Sequence, residues 1–220
     1  MKPVKALILG LLLLVPILIF IFISVFGTHH FSLRTYYPKL DEKGEVVYNA
    51  AGDTVFLPVP FFELTTEQGS TLTQSDLDNS LYIANFFQPS CQGACPEVFS
   101  QISRVQEAFA NNPQINVVSI SVTPVADSLQ ALQQLADRYN AIEGKWHLLT
   151  GDSAEVRSLL EKGFHQELVQ DGNSVMAGNK LLLVDKEKMI RGVYDGADKK
   201  EVDRLILEIN VLLDEYSKRK

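Results

Sequence analysis

An uninterrupted apolar run from Ala6 to Gly27 opens the pattern of hydrophobic and polar positions along the chain. Because a helix needs about 20 apolar residues to cross a bilayer, this run predicts a single transmembrane helix. Lys2 and Lys5 precede it without an acidic residue, so the positive-inside rule places the N-terminus in the cytoplasm and the rest of the chain on the outer, periplasmic side. A cleaved signal peptide is the alternative, but its apolar core usually has about 7–15 residues and ends at a small-x-small site, which Ser24 to Gly27 resembles poorly.

Beyond this run, short apolar strands alternate with amphipathic helices. Residues 28–49 are polar and aperiodic, which is typical of a linker or of an arm packed on the domain surface. Strands are predicted as a hairpin over Glu63 to Leu72 and singly over Leu81 to Phe87, Ile115 to Val122, Trp146 to Leu149, Lys180 to Asp185 and Met189 to Tyr194. Helices are predicted over Pro96 to Asn111, Ser128 to Tyr139, Ala154 to Lys162 and Lys199 to Tyr216, whereas 163–178 has little periodicity.

This order of elements predicts one α/β domain in which a central sheet is layered with helices. The first central strand ends at a pair of cysteines, and the first long helix begins there. The sequence therefore predicts a thioredoxin-like three-layer sandwich with an N-terminal β-hairpin, preceded by one transmembrane helix. The predicted boundaries are 1–27 for the cytoplasmic tip and anchor, 28–49 for a juxtamembrane linker and 50–220 for the thioredoxin-like domain.

Charge and cysteine content narrow the range of functions. The chain has 20 Lys and Arg against 27 Asp and Glu, a formal net charge of −7, which argues against a nucleic acid partner. Two cysteines are too few for a disulfide scaffold. In an exported domain, a close pair of cysteines is held oxidised unless an exported dithiol reductase reduces it.

The two cysteines, Cys91 and Cys95, are the strongest candidates for chemistry. They are four positions apart, and Pro96 follows them. Proline favours the first position of a helix, so we expect Cys95 at the helix cap and Cys91 in the loop before it. A helix N-terminus stabilises thiolate, the form that attacks disulfides and binds soft metals. If the pair cycles, the exposed Cys91 is the attacking thiol and Cys95 the resolving thiol.

An inert Cys91–Cys95 disulfide is the alternative to a reactive pair. A cross-link over so short a loop stabilises a fold less than the ~3 kcal/mol expected for a 15-residue loop. Stability alone is therefore a weak reason for the pair, and a redox or metal-binding role is favoured.

Several motifs, taken in order, resemble those of the Sco (SenC) family of membrane-tethered, thioredoxin-fold proteins associated with copper delivery to cytochrome c oxidase. The matching segments are Asn85-Phe86-Phe87, Cys91-x-x-x-Cys95-Pro96, Ser119 to Val122, Trp146 to Asp152, Leu183 to Lys186 and Ile190 to Gly196. The resemblance covers Phe62 to Tyr216. It implies a thioredoxin-like fold, a copper ligand role for the two cysteines, and a copper-bearing subunit of a respiratory oxidase as partner.

In that family, the third copper ligand is a histidine just before the strand that begins here near Lys180. The present chain has Ala177-Gly178 at that place, so the family histidine is missing. Two thiolates suffice for Cu(I), but Cu(II) prefers an imidazole. Met176 and His165 are the candidate substitutes, and their simpler interpretations are packing for Met176 and a surface position for His165.

The resemblance and the cysteine pair together predict a membrane-anchored protein that helps to mature the copper centre of a respiratory oxidase. Its chemistry would be thiol–disulfide oxidoreduction of the copper-site cysteines of the oxidase subunit, transient Cu(I) binding at Cys91 and Cys95, or both. One alternative is a copper chaperone with a substitute third ligand. Another is a redox sensor or scaffold that presents its surface to a partner without turnover.

Overall fold

The computed structural model describes residues 3–26, 32–88, 93–123, 128–171 and 174–218. The chain divides into two units, Met1–Ser32 and Leu33–Lys220. In the first unit, helix α1 spans Pro3–Phe26. Over the described residues, no helix combines the length and the hydropathy that a membrane span requires.

The second unit is built on a seven-stranded mixed sheet in the order β2-β1-β5-β4-β3-β8-β9. These strands are β1 Glu63–Thr66, β2 Thr71–Thr73, β3 Leu81–Phe87, β4 Ile115–Ser121, β5 Trp146–Thr150, β8 Lys180–Val184 and β9 Ile190–Asp195. Strands β3, β4 and β5 are parallel, and β1, β8 and β9 run antiparallel to their neighbours. A separate two-stranded hairpin consists of β6 Leu168–Asp171 and β7 Ser174–Ala177.

Helices cover both faces of this sheet. They are α2 Cys95–Ala108, α3 Leu129–Arg138, α4 Ser153–Ser158, which continues as a π-helical turn over Leu159–Gly163, and α5 Lys199–Lys218. The core cluster on one face takes its helical residues from α2, α3 and α5. The cluster on the other face takes them from α4, the turn after it and a short 3-10 helix over Gln74–Leu77. Alternate residues of β3 enter the two clusters because successive side chains of a strand point to opposite faces. We refer to these two faces as the α2 face and the α4 face.

The predicted hairpin and central elements are confirmed with small shifts at their ends. The structure adds the β6–β7 hairpin inside 163–178, for which no strand was predicted. Two strands of four residues are too short to establish a two-residue period, and in the described sheets they pair only with each other.

Residues 37–57, whose structure the sequence left open, form a small ribbon of paired segments. Lys39 and Val47, Val47 and Val55, and Val55 and Lys39 are joined by backbone hydrogen bonds of 2.8–2.9 Å. The two turns of this ribbon have the same hydrogen-bond pattern. In each turn one side chain, that of Asp41 or Asn49, accepts hydrogen bonds from the backbone N–H groups two and four residues later. Backbone hydrogen bonds at either end of the ribbon attach this arm to the β8–β9 hairpin and the start of β9.

Candidate dithiol site

Cys95 is the first residue of α2, and Ala94 is its N-cap. The expectation that Cys95 would be the cap and Pro96 the first helical residue is therefore wrong by one position. The first four N–H groups of a helix have no partner within it, so proline at the second position costs no helical hydrogen bond either. Cys95 still lies at the N-terminus of α2, where the helix dipole is positive, as its predicted chemistry requires.

Cys95 is half-buried, packs against the core of the α2 face and takes part in a disulfide bond. Cys91, the other cysteine of the sequence, lies outside the described residues. The pairing of Cys91 with Cys95 and their division into attacking and resolving thiols therefore stay predictions.

A chain of buried hydrogen bonds runs through the sheet beneath α2. Trp146 Nε1 donates to Ser119 Oγ at 2.9 Å, and Ser119 Oγ donates to Asn85 Oδ1 at 2.6 Å. The three side chains come from β5, β4 and β3 in turn. Sequence reasoning matched these residues to family motifs but missed the connection between them, because the pairing register of the strands creates it.

Asn179 directly follows Ala177-Gly178, where the family histidine is missing, and this part of the chain comes close to the start of α2. A Cβ atom placed on Gly196 would lie 2.9 Å from the backbone oxygen of Asn179 and 3.1 Å from Cγ1 of Val98, a residue of the first turn of α2. Strand β7, which ends at Ala177, also passes close to β3. The segment that carries the missing ligand position thus returns to the end of the sheet where the cysteine helix begins.

Met176 lies on β7, opposite Val169 in the hairpin register. This places its backbone in the segment that returns towards β3. Its role as a third copper ligand stays a prediction.

His165 contacts a different part of the domain. Its ring stacks on that of Tyr37, with the centroids 4.2 Å apart, and the preceding Phe164 belongs to the core of the α4 face. Burial lowers the pKa of His165. His165 thus contacts the ribbon of residues 37–57, whereas Cys95 packs on the α2 face. Over the described residues, no group of three or more His, Cys, Asp and Glu side chains is arranged to hold a metal ion.

A polar chain on α2 contacts Glu97, the acidic residue two positions after Cys95. Gln101 Nε2 donates to Glu97 Oε1 at 2.7 Å, and Gln101 Oε1 accepts from Arg104 at 2.5 Å. Arg104 also pairs with Asp203 of α5 at 2.6 Å. Residues 81–103 include no Lys or Arg. Arg104 is thus the positive charge that is connected to Glu97, through the buried amide of Gln101.

Comparison with known proteins decides the family. The family model for SCO1/SenC matches residues 57–213. The chain belongs to the SCO1/SenC family. The resemblance stated from the motifs is confirmed, and so is the mixed α/β, thioredoxin-like fold.

Three relatives are 19–23% identical to this chain in sequence. The SCO1 protein homolog of Bacillus subtilis (strain 168) is 22% identical over 152 residues, which cover 67% of this chain and 79% of the homolog. A second relative is BsSco, a member of the Sco family of cytochrome c oxidase assembly proteins in which a disulfide switch has been identified. Its structure matches this one with a TM-score of 0.62 at 23% identity, and the match covers 70% of this chain and 91% of BsSco. The copper-bound structure of ScoI from Arabidopsis thaliana matches with a TM-score of 0.59 at 19% identity. This match covers 70% of the present chain and 99% of ScoI.

Proposed function

We propose that this Sco-family protein reduces the copper-site cysteines of the copper-bearing subunit of a respiratory oxidase. The observation that carries the proposal is the position of Cys95, a disulfide-bonded residue at the first position of a helix whose N-terminus favours thiolate. The family relationship and the disulfide switch and oxidase assembly role of BsSco support it.

The proposed reaction is a two-step disulfide exchange. The thiolate of Cys91 attacks one sulfur of the partner disulfide, so a bond forms between Cys91 and the partner while the partner S–S bond breaks. The released partner thiolate takes up a proton. The thiolate of Cys95 then attacks Cys91, which forms the Cys91–Cys95 disulfide and releases the second partner sulfur as a thiolate that also takes up a proton. Two electrons have moved to the partner, and an exported dithiol reductase restores the starting dithiol.

The proposed location follows from the sequence. The apolar run from Ala6 to Gly27 supports a single membrane anchor, and Lys2 and Lys5 support an N-terminus in the cytoplasm with the domain on the periplasmic side. A reporter that is active only outside the cytoplasm can be fused to Lys220 to test this orientation. The reporter should be active, and an inactive reporter on a stable fusion protein would contradict the orientation.

Replacement of the cysteines in the cell tests the reductase proposal. Strains that carry Cys91→Ser or Cys95→Ser should fail to assemble the copper centre of the oxidase, measured from its absorption spectrum in membranes. A His165→Gln strain is the control and should assemble the oxidase normally. Normal assembly in either cysteine variant, with the protein present on an immunoblot, would refute the proposal.

Transient Cu(I) transfer is a second candidate, with copper as cargo. The donor set fits Cu(I), because two thiolates bind it as a soft pair, and the return of the Met176 segment towards β3 favours a methionine as an additional ligand. Solved copper-bound relatives support this candidate.

Anaerobic titration of the reduced full-length protein in detergent with Cu(I), against a competing chelator, tests this second candidate. Tight one-to-one binding that Cys91→Ser destroys and Met176→Ala weakens would support it, with Met189→Ala as the methionine control. Weak binding by the wild-type protein would refute copper carriage. Absence of both copper binding and disulfide exchange would favour a sensor or scaffold.

A further inference from the structure

The side-chain amide of Asn85 is buried with one half of its hydrogen-bonding capacity unused. Asn85 lies on β3 and is only 1% exposed. Its Oδ1 accepts from Ser119, but its Nδ2 has no hydrogen-bond partner among the described residues. A buried donor without a partner costs free energy, so a native structure that retains one needs a reason for it.

The hydrogen-bond chain leaves the nitrogen end of the amide unpaired. Trp146 Nε1 can only donate, so it uses a lone pair of Ser119 Oγ. The single hydroxyl hydrogen of Ser119 is then available for Asn85, and Oδ1 of Asn85 accepts it. With its oxygen engaged in this way, Asn85 has only its amide N–H groups left to donate to another partner.

The position of Asn85 in the sheet places it on the α2 face, beside a strand whose residue Leu181 lies near the first turn of α2. It stands in register with Leu181, and by the alternation of β3 it shares the α2 face with Ile83 and Phe87. A Cβ atom placed on Gly196 would contact both Leu181 and Val98, at 2.9 and 3.1 Å. Leu181, the neighbour of Asn85 on the sheet, is thus close to the first turn of α2, which begins with Cys95.

We infer that Asn85 is a positioning residue that donates its free N–H to the sulfur of Cys95 when that sulfur is a thiolate. This inference rests on the proposed redox function. A disulfide sulfur is a weak acceptor, whereas a thiolate accepts a hydrogen bond strongly, so reduction by a dithiol gives the Asn85 N–H a partner that the disulfide does not. The reducing dithiol supplies two electrons, which break the S–S bond and leave Cys95 as thiolate. Asn85 thereby stabilises the reduced form.

The reduction equilibrium tests this role. Full-length wild-type protein and an Asn85→Leu variant are equilibrated with buffers of reduced and oxidised dithiothreitol, and the dithiol fraction is measured by thiol alkylation. Because the thiolate loses its donor, Asn85→Leu should shift the equilibrium constant towards the disulfide by about tenfold, equivalent to about 30 mV. The pH profile of alkylation of Cys95 in a Cys91→Ser background should shift to higher pH for the same reason.

Gln106→Leu is the matched control, because it also replaces a buried amide on the α2 face but lies near the far end of α2. It should change stability and leave the reduction equilibrium unchanged. If Asn85→Leu does not fold, as judged by circular dichroism, Asn85→Ala removes the amide without added bulk and gives the same test. An unchanged equilibrium and pH profile in a folded Asn85 variant would refute this role of Asn85 alone. A wild-type disulfide that dithiothreitol cannot reduce would refute the reductase function as well.

Discussion

Nη1 of Arg191 lies 2.9 Å from Oδ2 of Asp185, and both side chains are buried. Arg191 also donates to the backbone oxygen of Leu33 at 2.7 Å and pairs with Glu215 of α5. Oδ1 of Asp185 accepts from the backbone N–H of Met189 at 2.8 Å. One buried ionic cluster therefore joins the β8–β9 hairpin, the backbone at Leu33 and the C-terminal helix α5.

Removal of one member of this cluster should be costly. Arg191→Met leaves the carboxylate of Asp185 buried without its charge partner, so we expect the free energy of unfolding to fall by about 3–5 kcal/mol, measured by urea denaturation. The double variant Asp185→Asn/Arg191→Met should lose less than the sum of the two single losses, because the buried carboxylate that Arg191 neutralises is removed together with it. A loss below about 1 kcal/mol for Arg191→Met would contradict a structural role for the pair.

Asp152 should stabilise α4 as its N-cap. Its Oδ1 accepts from the backbone N–H groups of Ala154 at 2.9 Å and Glu155 at 3.2 Å. Asp152→Ala should lower the free energy of unfolding by about 1 kcal/mol, whereas Asp152→Asn, which keeps the acceptor, should retain most of it. Equal losses of unfolding free energy in the two variants would show that the negative charge of Asp152, rather than its capping hydrogen bonds, stabilises α4.

The unfolding free energy should fall as the pH drops from about 7 to about 5. Burial lowers the pKa of His147, although the nearby Glu67 and Asp76 partly oppose this effect. The unfolded chain therefore binds a proton at a higher pH than the folded chain does, and folding loses free energy as the pH falls through this window. His147→Gln should flatten the decline in urea denaturation curves across this range. An unchanged slope in that variant would assign the decline to other groups.

Gly196 should tolerate no side chain, because its Cβ position is taken by its neighbours. An added methyl group would lie 2.9 Å from the backbone oxygen of Asn179, which cannot move cheaply. Gly196→Ala should therefore lower the free energy of unfolding by about 1–3 kcal/mol. Gly178→Ala is the control, since among the described residues no heavy atom beyond its two chain neighbours lies within 4 Å of its Cβ position. Thermal denaturation compares the two, and equal melting temperatures would contradict this packing.

The sequence predicted the parts of the fold that depend on local periodicity. The buried run before Cys91 and the stripe after Pro96 are long enough to show a strand and a helix, and the capping role of Asp152 follows from its position before Ser153. The two residues with the most informative buried contacts were not identified. Arg191 and Asn85 were only motif residues, because their partners other than Asp185 are 24 to 158 positions away in sequence. Such contacts depend on strand order and register, which single-sequence patterns do not contain.

Capture of a mixed disulfide tests the central claim most directly. Reduced full-length Cys95→Ser protein would be incubated with the oxidised soluble domain of the copper-bearing oxidase subunit from the same organism and analysed by non-reducing electrophoresis. We predict a one-to-one covalent adduct that dithiothreitol releases and that the Cys91→Ser/Cys95→Ser double variant does not form, while the reduced wild-type protein yields the reduced subunit. Absence of the adduct, together with a subunit that stays oxidised beside reduced wild-type protein, would contradict the proposed reductase.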